Sequence, residues 1–451
     1  MFTSNKPKKN KLPLILLLLV LILGGGYAVF NYLSDKQASQ AQGSNSGQIS
    51  NATTVTQPLA NTNNTQTGTT VAMANDGLKV TSSIVPTTPQ TPTVQSFSNV
   101  AVPTVDSSAW MVLDVDSGQI IAQHNADEKL APASLTKLLT ASLTFTALDN
   151  QQFNLDQQVV VSERAWKTGG SRTFIKVDTQ VAISDLLQGM IVQSGNDATI
   201  QLAEVVGGSV EAFVEKMNKE AKAFGMVNSS FADPTGLPSP QTYTTVRDLS
   251  LLAQHIIKDH PKYFHYFSQQ EFTYNKIRQP NRNGLLSKNI GVDGLKTGHT
   301  DDAGYCLIST ALRDGRRVLT IVMGTKSMRE RERISQQLLD WAYMNFTNHV
   351  VAPAGLPVVS PRVYEGKEKT VNLGAKQGVA VTLPRGQEQN VQMLTQLSRE
   401  LVAPIKKGDT VGTVQFILNG KVLKQDTLVA LNDVEQAGFF GRMWDKLAKM
   451  F

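Results

Sequence analysis

The stretch Lys129-Leu-Ala-Pro-Ala-Ser134-Leu-Thr-Lys137-Leu-Leu-Thr140 sets a serine and a lysine three residues apart at the head of an apolar run with helical spacing. On a helix, positions i and i+3 share a face about one turn apart, so Ser134 Oγ and Lys137 Nζ can meet with nothing between them. A serine hydroxyl is a poor nucleophile until a base takes its proton, and a desolvated lysine can be that base. Alone, the pair decides little. A serine at a helix start is also a good N-cap, and so short a motif recurs by chance.

Around this stretch the chain reads as an α+β domain. Ala109-Trp-Met-Val-Leu-Asp-Val115 has the composition of a strand, Asp116-Ser-Gly118 of a turn, and Gln119-Ile-Ile-Ala-Gln-His124 of a returning strand. A helix holding both Ser134 and Lys137 is expected to run to about Leu148. Leu186 to Val192 reads as a second helix, broken at Ser194-Gly195-Asn196, with Asp197 as cap of a further helix through Val206. Val210 to Phe224 ends at Gly225, a C′ glycine, and Thr245-Val-Arg-Asp248 fits a capping box. Strands return at Gly294 to Gly298 and at Ala303 to Leu312. The latter meets Arg317 to Met323 across Asp314-Gly315, a hairpin signal. Arg329 to Phe346 spaces Ile334, Leu338, Trp341 and Tyr343 for burial on a helix. Strands flanking a central run of helices predict one antiparallel sheet with helices packed on it, a catalytic domain over 105–350. Pro353, Pro357 and Pro361 mark a boundary, and short alternating segments with the turn Asn419-Gly420 predict a small all-β domain over 351–436.

The ends speak of a membrane. Residues 1–11 carry four lysines and no acid, and residues 12–33 are uncharged and long enough to span a bilayer. Positive residues before the span keep that end in the cytoplasm and send the rest outside. The apolar residues from Tyr27 to Leu33 favour an uncleaved anchor; a signal peptide cut after Gly26-Tyr-Ala28 is the alternative. Residues 34–104 are rich in Asn, Thr, Gln, Ser and Pro and nearly uncharged, and read as a disordered linker. At the other end, over 437–451, Phe440, Met443, Trp444, Leu447 and Phe451 share one helical face. Arg442, Lys446 and Lys449 lie elsewhere with one acid, Asp445. An amphipathic helix of this kind suits a membrane surface, and docking on the β domain is the other possibility.

Composition excludes some classes. The net charge of +6 is mild and no basic, aromatic-interleaved cluster marks a nucleic-acid surface in the body of the chain. The one cysteine, Cys306, sits in an apolar run and reads as a small buried side chain. His124, His255, His260, His265 and His349 show no metal-ligand spacing, so neither metal nor cofactor is implied.

Two elements join Ser134-x-x-Lys137: Ser194-Gly-Asn196 at the helix break and Lys296-Thr-Gly298 on a strand, where Gly298 leaves room for a substrate backbone along the edge. In this order they are the signature of active-site serine penicillin-recognising enzymes. With Asn281-Arg-Asn-Gly-Leu-Leu286 and Asp293-Gly-Leu-Lys-Thr-Gly-His-Thr-Asp301, the chain from Asp106 to Phe451 resembles the low-molecular-mass penicillin-binding proteins of the 5/6 type, the D-alanyl-D-alanine carboxypeptidases of the bacterial cell wall. The resemblance implies a transpeptidase-like domain, a small β domain and a terminal helix, on the periplasmic face of the inner membrane. It also implies that Ser134 attacks the bond between the two terminal D-alanines of a peptidoglycan stem peptide and is acylated by β-lactams. Lys137 would act as base, its pKa lowered by burial and by Lys296. Ser194 would relay a proton, oriented by Lys296, which also keeps the field positive. Asn196 would bond the substrate amide and Lys137. Thr297 and Arg282 would hold the terminal carboxylate, and the amides of Ser134 and His299 would form the oxyanion hole. The long linker and apolar start depart from many members and touch the mode of anchoring only. A class A β-lactamase would need a glutamate in the Asn228 to Gly236 region, which has none. A DD-endopeptidase, cutting cross-links with the same motifs, is disfavoured by the β domain and terminal helix. A catalytically idle wall-binding protein is disfavoured by the intact motifs.

Overall fold

The computed structural model describes Phe97 and residues 100–448. The segments expected over 1–11 and 12–33 and most of the 34–104 linker lie outside the described residues, as do Lys449 and Phe451. Part of the expected linker is described and packed: Phe97 lies on Phe346 and the Trp341 indole donates to the Ala101 carbonyl.

The first hairpin is β1 (Ala109–Asp114) and β2 (Ile120–His124). A 3₁₀ turn (Ala133–Thr136) then leads into α1 (Lys137–Asp149). There follow β3 (Gln158–Val160), α2 (Glu163–Lys167), β4 (Gln180–Ala182), α3 (Ile183–Ile191), α4 (Asn196–Gly207), α5 (Val210–Ala223), α6 (Val246–Asp259) and α7 (His265–Ser268). A small hairpin, β5 (Glu271–Tyr274) and β6 (Ile277–Pro280), precedes β7 (Val292–Thr300), β8 (Gly304–Arg313), β9 (Arg316–Thr325) and α8 (Met328–Asn345). The main sheet is antiparallel with order β2-β1-β9-β8-β7.

The sheet is covered on both faces. Met111, Leu113, Leu319, Ile321 and Ile308 face a core that includes Leu135, Leu138 and Leu139, whereas Trp110, Val112, Val318 and Val322 face Ile334, Leu338 and Ala342 of α8. This double burial explains why β1 reads as a continuous apolar run rather than an alternation. α1 is buried from Lys137 through Phe145, with Thr140 and Thr144 satisfied by the carbonyls of Pro234 and Thr140. Two expected caps work differently. Thr245 accepts from Asp248 N–H, but the Asp248 carboxylate turns to Asn228 N–H and Ser229 instead of closing a capping box. Asp197 does not cap α4; it reaches back across the helix start to the 173–175 backbone.

The β domain comprises β10 (Phe346–Ala352), β11 (Leu373–Ala375), β12 (Val379–Pro384), β13 (Gln392–Leu397), β14 (Thr410–Leu418) and β15 (Lys421–Ala430). β10 pairs with β12, and the other strands form a sheet of order β11-β15-β14-β13 over a core of their own. The expected boundary at 350/351 thus falls inside a strand of the second domain. Asn419 and Gly420 both have positive φ, as a tight hairpin turn requires.

A buried polar cluster joins the two domains. Arg316 Nε donates to Asp114 at 2.7 Å, Arg316 Nη1 to the Phe346 carbonyl at 2.7 Å, and Asn348 Nδ2 to Asp114 at 2.9 Å. Lys424 Nζ donates to the Ser117 carbonyl, and the hydroxyls of Ser117 and Thr382 are 2.6 Å apart.

The last described element is α9 (Phe439–Ala448). Phe440, Met443, Trp444 and Leu447 are exposed, as is Phe439, while Asp445 is only 2% exposed. Its carboxylate accepts from Glu365 N–H at 2.7 Å and faces Lys369 Nζ at 3.2 Å and Arg362 Nη2 at 3.6 Å. The helix is therefore docked by its single acid, with the aromatic side turned outward. Among the described residues no helix is long and apolar enough to cross a membrane.

Removing one member of a buried ion pair leaves the other charge uncompensated, so Arg316→Ala is expected to cost about 3–5 kcal/mol, measured by denaturant unfolding.

Candidate active site

Lys137 is the first residue of α1, so its side chain leaves the helix beside the turn before it. Ser134 lies in that 3₁₀ turn rather than in the α-helix, and Lys137 Nζ donates to Ser134 Oγ at 2.9 Å. A second bond runs from Nζ to the Thr235 carbonyl at 2.7 Å. Burial pushes the Lys137 pKa down to about 7, opposed by the charges of Asp233 and Asp197 and assisted by Arg282. The amine is thus held where it loses its proton near neutrality, a property of catalytic bases. Burial, then the charges of Lys137, Arg282 and Arg331, drive the pKa of Lys296 well below its ordinary value. The Arg282 guanidinium thus bears on both lysines, and that of Arg331 on Lys296.

The other two motifs converge on the same place. Ser194 sits at the break between α3 and α4 with φ +65°, and among the described residues its buried Oγ has no hydrogen-bond partner. Neither expected link is formed: Lys296 Nζ donates to the Thr297 carbonyl at 3.4 Å, and Asn196 Nδ2 donates to the Gly169 carbonyl at 2.8 Å. β7, with buried Lys296, Thr297 and Gly298, is an edge strand of the main sheet. A side chain on Gly298 would meet the Pro132 carbonyl at 3.0 Å and the Ala133 methyl at 3.3 Å. This glycine makes room for the nucleophile's turn, which the expectation did not include. His299, at the exposed end, packs its ring on Tyr305, and Arg282 stands on the preceding loop.

The family model described as D-alanyl-D-alanine carboxypeptidase matches residues 96–327, and that described as penicillin-binding protein 5, C-terminal domain, matches 346–436. D-alanyl-D-alanine carboxypeptidase DacC of Escherichia coli (strain K12) is 43% identical over 360 residues, covering 78% of this chain and 90% of the relative. The chain belongs to the D-alanyl-D-alanine carboxypeptidase family. It is an enzyme of that peptidase class, with the transpeptidase-like and C-terminal β domains of penicillin-binding protein 5. Penicillin-binding protein 5 from Haemophilus influenzae superposes with a TM-score of 0.72 at 39% identity, covering 75% of this chain and all of that one. Penicillin-binding protein D2 from Listeria monocytogenes, solved in an ampicillin-bound form, matches at 31% identity and TM-score 0.50 over 54% of this chain and 99% of its own.

The family signature passes over several residues that shape this carboxypeptidase site. Arg331 of α8 is buried and donates to the carbonyls of Gly298 and Arg282, both at 3.2 Å, tying β7 to the loop that carries Arg282. Asp197 accepts from the amides of Thr173, Phe174 and Ile175, holding Phe174 at φ +67°. The 233–237 loop closes on the nucleophile: Gly236 has φ +82°, and a side chain there would lie 1.8 Å from the Ala133 carbonyl. The Asp233-Pro-Thr-Gly236 turn chemistry is the one signal in the sequence that could have pointed to this loop.

Acylation needs the neutral amine, so its rate is expected to fall roughly tenfold per pH unit below about 7, read with a fluorescent penicillin. Stability should follow the same group. The unfolded chain binds the lysine proton up to 10.5 and the folded chain only to about 7, so stability should rise with pH between these values and the slope become shallower in Lys137→Met, where Lys296 still contributes.

Proposed function

We propose that the chain removes the terminal D-alanine from peptidoglycan stem pentapeptides through an acyl-enzyme on Ser134. The observation that carries this reading is the 2.9 Å bond between Ser134 Oγ and the buried Lys137 amine, whose pKa is about 7. Neutral Lys137 takes the Ser134 proton as Oγ bonds to the carbonyl carbon of the penultimate D-alanine. The peptide C–N bond breaks, and Ser194, whose hydroxyl has no partner among the described residues, relays the proton held by Lys137 to the departing amine, leaving Lys137 neutral and Ser194 a hydroxyl again. Water then attacks the ester carbonyl, its proton returns Ser134 to the hydroxyl, and the shortened peptide leaves. The amides of Ser134 and His299 are the donors for the oxyanion. The peptide lies along the free edge of β7, its terminal carboxylate meeting Thr297 and Arg282, where a guanidinium replaces lost hydration. Asn196 holds the substrate amide. A β-lactam enters the same acylation step, as the ampicillin-bound Listeria homologue supports.

The setting we propose is the outer face of a bacterial inner membrane, held by residues 12–33 and by α9. The exposed Phe440, Met443, Trp444 and Leu447 beside Arg442 and Lys446 support the second contact.

Incubation with pentapeptide is expected to release free D-alanine, and with a fluorescent penicillin to place one tag on Ser134. Ser134→Ala should lose both, and a tag elsewhere on digestion and mass spectrometry would overturn the assignment. Preferential cleavage of a cross-linked dimer would instead make the enzyme an endopeptidase. A double substitution of Phe440 and Trp444 to serine should lower co-sedimentation with anionic vesicles at least tenfold while pentapeptide turnover in solution stays unchanged.

A further inference from the structure

The base has one backbone partner, the Thr235 carbonyl, and a single side chain shapes the loop that presents it. Asp233 Oδ1 accepts from Gly236 N–H at 2.9 Å; Oδ2 accepts from Thr235 N–H at 3.1 Å and from the Thr235 hydroxyl. These bonds close an Asx turn around Pro234, whose own carbonyl is held by Thr140 of α1 at 2.8 Å. The turn leaves the Thr235 carbonyl 2.7 Å from Lys137 Nζ and presses Gly236 against the Ala133 carbonyl. One carboxylate thus organises the loop that touches both the base and the nucleophile's turn.

We propose that Asp233 is a positioning residue for the reaction, aiming the Thr235 carbonyl at Lys137 Nζ through the Asx turn and setting, through its charge, the pH range in which that amine serves as base. The inference rests on Lys137 being the base. The groups facing the amine are Asp233 from the loop, Asp197 from α4, Arg282 from the loop before β7, and Lys296 from β7 itself. The carboxylates of Asp233 and Asp197 favour the ammonium form; burial, the Arg282 charge and any charge on Lys296 oppose it. Of the two carboxylates, Asp197 is committed to three amides of the 173–175 backbone and to that of Ala198, whereas Asp233 belongs to the loop whose Thr235 carbonyl bonds the amine. At position 233 asparagine loses the charge and one of the two acceptor oxygens, keeping the other for the turn, whereas alanine loses the charge and both acceptors.

The test is the pH profile of the second-order acylation rate with a fluorescent penicillin, on the full chain. The parent enzyme should show an acid limb near pH 7. In Asp233→Asn the limb should move down by about one pH unit with a lower plateau, because a weaker base is neutral at lower pH but pulls less on the serine proton. Asp233→Ala should lower the rate at every pH by tenfold or more, through loss of the turn. If Asp233→Asn does not fold, as judged by thermal unfolding, Asp233→Ser supplies a neutral residue that also supports such turns. A limb that stays in place in the neutral variant, whatever its plateau, overturns the proposal alone. A parent enzyme with no acid limb removes Lys137 as base, and the proposal with it.

Discussion

A primary amine without full charge at neutral pH requires removal from water, and the catalytic domain is arranged around that requirement. Lys137 is buried because α1 is enclosed by the sheet and its neighbouring helices, so the first residue of a central helix has no route to solvent. Burying an ammonium is costly, and the group responds by shifting its pKa rather than by keeping its charge. The hydroxyl of Ser134 and the carbonyl of Thr235 then bond to the amine without holding it in the charged form as a close carboxylate contact would. Asp233 and Asp197 act on it from beyond hydrogen-bond range.

The same enclosure decides where a substrate can approach. β1, β9 and β8 are interior strands with neighbours on both sides, and only β2 and β7 are edges of the main sheet. β7 carries Lys296 and Thr297 and packs its glycine against the turn of Ser134, so the free edge and the nucleophile are brought together by one close approach. Arg331 fixes this edge from behind through backbone carbonyls. At one end of β1, the β1–β2 turn meets the β domain through Asp114, Ser117 and their partners. The catalytic contacts thus follow one edge of the sheet, and the domain contacts sit at strand ends in its interior.

Much of this was readable in the chain. Ser134 and Lys137 are three residues apart, so their meeting follows from local geometry, and the two other motifs lie on elements whose type the apolar spacing reveals. The helices, the antiparallel sheet and the separate β domain follow from periodicity and turn residues. What escaped were contacts made through backbone. The Thr235 carbonyl, the carbonyls held by Arg331 and the amides held by Asp197 carry no sequence letter of their own. Gly298 stands out in the sequence, but not the neighbour it accommodates, which is 165 residues distant in the chain, at Ala133. Asp197 and Asp248 were read as local caps; each instead satisfies a loop from elsewhere, which no local pattern encodes. Lys296 was read as the source of positive field, but its burial beside another lysine is a tertiary fact.

The latch at Asp445 has a consequence for handling the molecule. A helix free to roll could fold its aromatic side against the β domain whenever it is surrounded by water. With its one acid secured beneath it by Glu365, Lys369 and Arg362, α9 cannot roll without exposing an unpaired carboxylate site and two cations. Phe440 and Trp444 thus face outward while that contact holds, and a preparation without lipid or detergent would present them to water as an apolar patch open to association.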